Sequence, residues 1–264
     1  MTGNRVVVTG SVGIVGKALL RGLDQRFEVT GVDVRRPADP IEGRPVRRTD
    51  VHRARGALKA LEGADVVVHL ATAVRMRTPW AVVRRRNLGM TWAVLEAAVA
   101  VGASRVVLAS SNHVVGGYET EEPYRSVLAG RVEGLDPAAL PLLGVDVPLR
   151  PDSPYAVGKV MDEAAGRYFA DQHGLSVVAL RIGTVRPGDR PENQRHLSTF
   201  LSHRDLTHLV ESCIDAPPSL RFGVFYGVSA NTWRIWDIDE ARDRIGYAPR
   251  DDAEAVRPHL PGDR

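Results

Sequence analysis

Tyr155 and Lys159 are the residues of this chain whose types and spacing most directly predict chemistry. They are four positions apart, so on a helix both side chains lie on one face. A phenol normally loses its proton near about pH 10. A nearby ammonium stabilises the phenolate, so such a pair can move a proton to or from an alcohol or sugar hydroxyl near neutral pH. The spacing also arises by chance, so its meaning depends on the elements that position it.

The amino-terminal stretch predicts a strand, a glycine-rich turn and a helix, in the order that binds dinucleotides. The β-branched run Arg5–Thr9 predicts a buried strand. Gly10 permits a tight turn, Gly13 lets the backbone approach a pyrophosphate, and Gly16 lets the helix pack against the strand. Free N–H groups at the helix start favour phosphates. The predicted cofactor-binding turn is Gly10-Ser11-Val12-Gly13-Ile14-Val15-Gly16. A glycine turn without a ligand is the alternative.

Asp33 ends a second predicted strand, which begins at Glu28. An acidic residue at this distance from the glycines binds the ribose hydroxyls of NAD and repels the 2′-phosphate of NADP. Arg35 and Arg36 follow directly, and arginine in this place can hold that phosphate. Because the acidic residue lies at the strand tip itself, we predict NAD.

Strands and helices alternate along the chain, which is typical of a parallel sheet with helices on both faces. We therefore predict an α/β fold, a doubly wound parallel sheet of the Rossmann type with a short C-terminal substrate-binding part. Ligands of such sheets bind beyond the carboxyl ends of the strands. The predicted strand ends are Thr9/Gly10, Asp33, Leu70/Ala71, Ser110/Ser111 and Ile182/Gly183.

The composition favours a single domain that acts on a small molecule. We predict one domain over residues 1–264, with a dinucleotide-binding core at 1–185, a substrate-binding and C-terminal part at 186–264, and an irregular surface insertion at 117–149 that could act as a lid. The 35 basic and 32 acidic residues nearly balance, so nothing favours nucleic acid or a membrane as partner. The single cysteine, Cys213, excludes an intrachain disulfide and makes the cytoplasm the expected compartment.

These motifs resemble the extended short-chain dehydrogenase/reductase family over essentially the whole chain. The resemblance is carried by Thr-Gly-x-x-Gly-x-x-Gly at residues 9–16, followed by Ser111, Tyr155 and Lys159. Within the family, the chain is most similar to uronate dehydrogenases. Three stretches carry that likeness: Ala-Ser-Ser-Asn-His at 109–113, Arg-Ile-Gly-Thr at 181–184 and Arg-His-Leu-Ser-Thr-Phe-Leu-Ser-His at 195–203.

The resemblance implies an NAD-dependent oxidation of a hexuronate at C1 to an aldarolactone, with no metal. Tyr155 would take the proton of the anomeric hydroxyl, and Lys159 would stabilise the phenolate and hold the nicotinamide ribose. Ser111 would bond the reacting oxygen, and Arg195 would hold the substrate carboxylate through its guanidinium fork. Further implied sugar contacts are Asn112, His113 and Thr184. Further implied cofactor contacts are Asp50, Val51, Leu70, Ala71, Asn87 and Ile182. We also expect a homo-oligomer.

Other interpretations stay open at this point. The same cofactor and Tyr/Lys pair can serve a sugar epimerase or another sugar dehydrogenase or ketoreductase of the family, and a non-catalytic dinucleotide sensor is a third class. His113 could be a structural histidine, and Arg195 could be a solvated loop residue. Arg75 and Arg77 could recognise a further anionic group or face solvent.

Overall fold

The structure, a computed structural model, describes residues 4–23, 25–35, 37, 41, 43–72 and 76–259. The strands are β1 (Arg5–Thr9), β2 (Glu28–Asp33), β3 (Val46–Arg48), β4 (Val66–His69), β5 (Arg105–Ser111), β6 (Ser176–Ile182) and β7 (Phe222–Gly227). The described residues form one seven-stranded sheet in the order β3-β2-β1-β4-β5-β6-β7, and all six pairings are parallel. The doubly wound parallel sheet is therefore confirmed.

Helices cover both faces of this sheet. The α-helices are α1 (Ile14–Gly22), α2 (Ala54–Leu61), α3 (Trp80–Val83), α4 (Gly89–Ala100), α5 (Tyr124–Leu128), α6 (Pro154–His173), α7 (His196–Thr199), α8 (His203–Asp215) and α9 (Asp239–Ile245). The described part of the chain also forms the 3-10 helices Asn112–Thr120, Pro137–Ala139 and Ala253–His259. Within the described ranges, no helix is both long and apolar enough to cross a membrane.

The strands are apolar on both sides because each face of the sheet carries its own core. In β1, Val6 and Val8 pack with Leu206 of α8, whereas Val7 packs on the opposite face with Leu95 of α4. Successive side chains of a strand point to opposite faces, so a sheet covered twice needs an unbroken apolar run. Cys213 of α8 is buried in the first of these cores, and burial raises the pKa of its thiol.

The helical stretch from Trp80 to Ala100 contains one irregularity. Between α3 and α4, residues Arg84–Leu88 form a π-helical turn, which is wider than an α-helical turn. Such turns occur most often at functional sites. Asn87 is the one residue of this turn whose side chain is buried.

The insertion at 117–149 is not irregular throughout, since it carries α5 and the 3-10 helix Pro137–Ala139. Val127 and Leu143 pack with Tyr226 and Trp236 in a third apolar cluster. The insertion is thus held against the C-terminal part of the chain by buried apolar side chains.

Arg105, the first residue of β5, links the amino end of the sheet to the end of α8. Its buried guanidinium donates from Nη1 to the carbonyls of Cys213, Ile214 and Ala216, and from Nη2 to that of Pro217. The last carbonyls of a helix have no partner within it, so Arg105 supplies donors to the end of α8.

Candidate active site

A continuous cleft follows the carboxyl ends of the strands. It consists of a cavity of about 840 Å³ beside β2 and one of about 690 Å³ beside β5 and α6. The two share Gly10, Gly13, Arg35, Leu70 and Thr72 in their walls. We call the first the cofactor end and the second the sugar end, after the ligands that the sequence predicts for them.

The glycine turn has the geometry that the sequence predicts. Gly10 has a φ of 71°, and a Cβ atom there would lie 2.7 Å from the backbone nitrogen of Ala71. A Cβ atom on Gly16 would lie 2.5 Å from the Cα of Ser11, so only glycine lets α1 approach the turn this closely. Among the residues that the structure describes, no side chain caps α1 at Gly13. The first N–H groups of the helix therefore remain for an anion, which fits a pyrophosphate.

Asp33 lies at the cofactor end with its carboxylate almost fully buried. Its Oδ2 accepts from the Val12 N–H at 3.0 Å, and its Oδ1 accepts from the Arg35 N–H at 2.9 Å. The Arg35 side chain also reaches Oδ1, at 3.3 Å. The carboxylate is thus fixed at the tip of β2, where ribose hydroxyls are bound in this fold. Arg36 lies outside the described residues.

Tyr155, Lys159 and Ser111 meet at the sugar end, and all three line its cavity. The Ser153 hydroxyl accepts from the Ala156 N–H at 3.2 Å and so caps α6, which places Tyr155 in the first turn. The Lys159 Nζ lies 5.9 Å from the centre of the Tyr155 ring. Ser111 is the last residue of β5. The sequence motif is therefore assembled across two elements.

Asp162 is a second partner of Lys159 that the sequence analysis missed. Its Oδ2 lies 3.2 Å from the Lys159 Nζ, and the same ammonium donates to the carbonyl of Ala109 at 2.8 Å. Burial disfavours the ammonium, but the charges of Asp162, Tyr155 and Glu163 and the hydrogen bond to Asp162 together outweigh that effect, and the pKa of Lys159 is raised. The spacing of three residues on one helix was the available signal.

Asn87 and Ser11, both predicted to contact the cofactor, lie behind the wall of the cleft. Neither is among the residues that line the two cavities. Asn87 donates from Nδ2 to Asp162 at 2.9 Å and accepts from the Thr72 hydroxyl at 2.8 Å. Ser11 is fully buried beneath the turn. The other predicted cofactor residues line the cleft: Gly10, Val12, Gly13, Ile14, Val15, Gly16, Asp33, Asp50, Val51, Leu70, Ala71, Tyr155, Lys159 and Ile182.

The predicted sugar contacts Asn112, His113 and Thr184 line the sugar end. The His113 Nδ1 lies 2.6 Å from Oδ2 of Asp152, so this imidazole is fixed by a carboxylate. Burial would raise the pKa of Asp152, but the hydrogen bond and charge of His113, with the Arg195 charge, hold it below its usual value. Nothing in the local sequence links positions 113 and 152.

Arg195 does not line either cavity. Its guanidinium is held by Glu119, a residue of the 3-10 helix Asn112–Thr120 that the sequence analysis did not connect with it. Of the other two arginines considered for anion recognition, Arg75 lies outside the described residues. The structure thus brings together the predicted proton-transfer group but not the predicted carboxylate-binding group.

A buried ion pair supports the sugar end from below. Arg181 of β6 donates from Nε and Nη2 to the two carboxylate oxygens of Glu163, each at 3.1 Å. Nη1 of the same arginine donates to the Val145 carbonyl at 3.1 Å, and the Ser110 hydroxyl donates to Glu163. This network joins α6, the strands β5 and β6, and the insertion.

His69, the last residue of β4, is buried beneath the cofactor end. Its Nδ1 lies 2.7 Å from the Thr9 hydroxyl oxygen. Burial, with a smaller effect of the Lys159 charge, lowers its pKa to about 3. The imidazole is therefore uncharged at neutral pH.

Comparison with known proteins agrees with this geometry. The profile of the NAD dependent epimerase/dehydratase family matches residues 6–205. The chain is 35% identical over 255 residues to the NAD-dependent glucose-6-phosphate dehydrogenase of Haloferax volcanii, covering 94% of each sequence. It is also 35% identical over 262 residues to the L-arabinose 1-dehydrogenase (NAD(P)(+)) of that organism, covering 96% of this chain and 98% of the relative. Among solved structures, a mutant uronate dehydrogenase from Agrobacterium tumefaciens complexed with NAD superposes with a TM-score of 0.81 at 32% identity, covering 97% of this chain and 88% of that chain.

Proposed function

This chain belongs to the NAD dependent epimerase/dehydratase family, among the extended short-chain dehydrogenases/reductases, and on that premise we propose that it oxidises the C1 hydroxyl of a cyclic sugar. It is an NAD-dependent dehydrogenase. The observation that carries the proposal is a single cleft with Asp33 at one end, Ser111, Tyr155 and Lys159 at the other, and the glycine turn along both.

The residues of the cleft fit NAD. The start of α1 and the glycine turn suit the pyrophosphate, and the carboxylate of Asp33 suits the adenosine ribose hydroxyls. Lys159 would hold the nicotinamide ribose, as the family resemblance implies. When bound, NAD accepts the hydride that leaves the sugar carbon.

The chain's own part is to hold the reacting hydroxyl and remove its proton. The Ser111 hydroxyl bonds the sugar oxygen, and Tyr155 takes the proton as general base. The ammonium of Lys159 stabilises the resulting phenolate, and Asp162 keeps that ammonium protonated. Loss of a proton from the hydroxyl and a hydride from C1 leaves a lactone.

Two substrate classes are candidates for this site. A hexuronate such as galacturonate or glucuronate, which would give an aldarolactone, is supported by the likeness to uronate dehydrogenase. It requires Arg195 to exchange Glu119 for the substrate carboxylate. A sugar without that carboxylate is supported by the relatives named for glucose 6-phosphate and arabinose.

A substrate screen tests the proposal. Purified protein is given NAD or NADP with sugar acids, sugar phosphates and neutral aldoses, and the absorbance of the reduced cofactor is followed. We expect NADH from at least one cyclic sugar, with its lactone as product. An epimerase would interconvert two sugars without net NADH. The absence of reduced cofactor with every sugar would reject oxidation at C1.

A further inference from the structure

The guanidinium predicted to bind a substrate carboxylate already binds a carboxylate of the protein. The Arg195 Nε donates to Oε2 of Glu119 at 2.8 Å, and Nη2 donates to Oε1 at 2.6 Å. Two parallel charge-assisted bonds of this kind are the strongest arrangement available to arginine and carboxylate. The side chains are 30% and 17% exposed, so water screens the pair only in part.

Glu119 lies near the end of the 3-10 helix whose first residues belong to the wall of the sugar end. The 3-10 helix that carries it begins with Asn112 and His113, both of which line the cavity. His113, at the start of the same helix, is held by Asp152 at 2.6 Å. Two separate ion pairs, Glu119 with Arg195 and His113 with Asp152, therefore involve residues of this one 3-10 helix.

We propose that Glu119 determines the substrate class, by occupying the place of a substrate carboxylate and so restricting the enzyme to uncharged aldoses. The proposal rests on the sugar dehydrogenase activity proposed above. An incoming carboxylate must break both bonds of the pair and then lie next to the displaced negative charge of Glu119. The hydroxyls of a neutral sugar can donate to Asp152 or Glu119 without displacing either carboxylate from its partner. A sugar phosphate meets the same obstacle as a uronate.

The decisive measurement compares galactose with galacturonate, which differ only at C6. We expect the wild-type enzyme to have the higher kcat/KM for galactose, and galacturonate to be a weak competitor. Glu119→Gln keeps the shape of the side chain and frees the charge of Arg195. The ratio of kcat/KM for galacturonate to that for galactose should then rise by at least about tenfold, because like-charge contacts oppose binding by that order.

Two further variants show whether the gain depends on this pair. In the double variant Glu119→Gln/Arg195→Gln, the gain should disappear because no free guanidinium remains. Glu121→Gln is the matched control, since Glu121 lies two residues away, is exposed and pairs with Arg150 instead. It should leave the substrate ratio within about twofold of wild type, as expected for an exposed ion pair.

The outcomes separate this inference from the proposed function. A wild-type enzyme that oxidises galacturonate more efficiently than galactose overturns the role of Glu119 while leaving oxidation at C1 intact. An unchanged ratio in a folded Glu119→Gln variant, checked by its melting temperature, overturns it as well. If that variant does not fold, the wild-type ratio still decides. If no sugar reduces NAD, the proposed function fails and this inference fails with it.

Discussion

The two ends of the cleft are built in different ways. The glycine turn and Asp33, the residues that best fit the cofactor, come from one continuous stretch that begins at Arg5, and they rely on backbone geometry. The sugar end depends on side-chain pairs between distant parts of the chain, such as His113 with Asp152. Backbone geometry near a turn leaves a local sequence signal, whereas a distant ion pair leaves none. The sequence therefore predicts the glycine turn and Asp33 directly, whereas the pairs at the sugar end become visible only in the folded chain.

The strongest test of this division removes the proton acceptor alone. Tyr155→Phe should lower kcat by at least about 10²-fold, the usual contribution of general acid–base catalysis. The affinity for NAD should stay near wild type, because the glycine turn and Asp33 are untouched. Turnover is measured with the best sugar, and binding by NAD titration. Tyr168→Phe, an exposed tyrosine on the same helix, is the control. Wild-type turnover in Tyr155→Phe would eliminate this residue as the base.

The buried ion pair beneath the sugar end offers the next largest effect. Glu163→Gln leaves the Arg181 charge buried without its partner, which should lower the free energy of unfolding by about 3 kcal/mol. The KM for the sugar should rise more than the Kd for NAD. Urea unfolding and steady-state kinetics measure the two effects. Glu240→Gln breaks an exposed pair with Arg244 and should cost less than about 0.5 kcal/mol. Equal costs would contradict a supporting role for Glu163.

Acid should lower the free energy of unfolding through His69, which is buried beneath the cofactor end. In the unfolded chain a histidine takes up a proton below about pH 6.5, but the folded protein keeps His69 uncharged down to about pH 3. Protons therefore favour the unfolded chain, and stability falls as the pH falls through this range. The loss from this residue is about 2 kcal/mol by about pH 5.

His69→Gln should remove that part of the difference in unfolding free energy between pH 7 and pH 5, a range chosen from the usual histidine titration at about pH 6.5. Urea unfolding at both pH values checks this. His196, whose pKa is lowered to about 4 mainly by burial, acts in the same direction, so some loss will remain. The exposed His173→Gln serves as control. An identical pH difference in wild type and His69→Gln would refute the assignment.

The smallest effect concerns the choice of cofactor. Asp33→Ala removes acceptors for the ribose hydroxyls and also the charge that repels a 2′-phosphate, while Arg35 stays in place. The ratio of NAD to NADP affinity should fall by about tenfold, as for loss of one charged hydrogen-bonding group. Binding titrations with both cofactors measure it. Glu28→Ala, at the exposed start of the same strand, should leave the ratio unchanged. A wild-type preference for NADP would mean that Arg35 outweighs Asp33.

The elements with strong periodic or apolar patterns could be predicted from the sequence. β1 and β2 have the predicted bounds, and β6 ends at Ile182 as predicted. β3 was missed because two of its three residues are arginines, so it has no apolar run. The π-helical turn was missed because one continuous helical pattern does not reveal a wider turn.

The site residues show the same difference between local sequence patterns and contacts over long separations. The glycine turn, Asp33 and the Tyr155/Lys159 pair carry local patterns and lie in the cleft as predicted. Ser11 belongs to the turn, yet its side chain fills the space beside Gly31, where a Cβ atom would lie 2.7 Å from the Ser11 hydroxyl oxygen. Its direction depends on β2, which the turn sequence does not describe. Glu119 lies 76 positions from its partner, a separation at which no spacing rule applies.

The Arg105 contacts at the amino end of β5 affect which mutations such an enzyme can accumulate during evolution without losing its fold. Ser111 lies at the other end of the same strand, roughly 20 Å away at the usual rise per residue. Mutations around Ser111 therefore leave the hydrogen bonds between Arg105 and the end of α8 intact. Variants with an altered sugar preference can still fold and be exposed to natural selection. The stability of the fold and the preference for a sugar therefore depend on opposite ends of one strand.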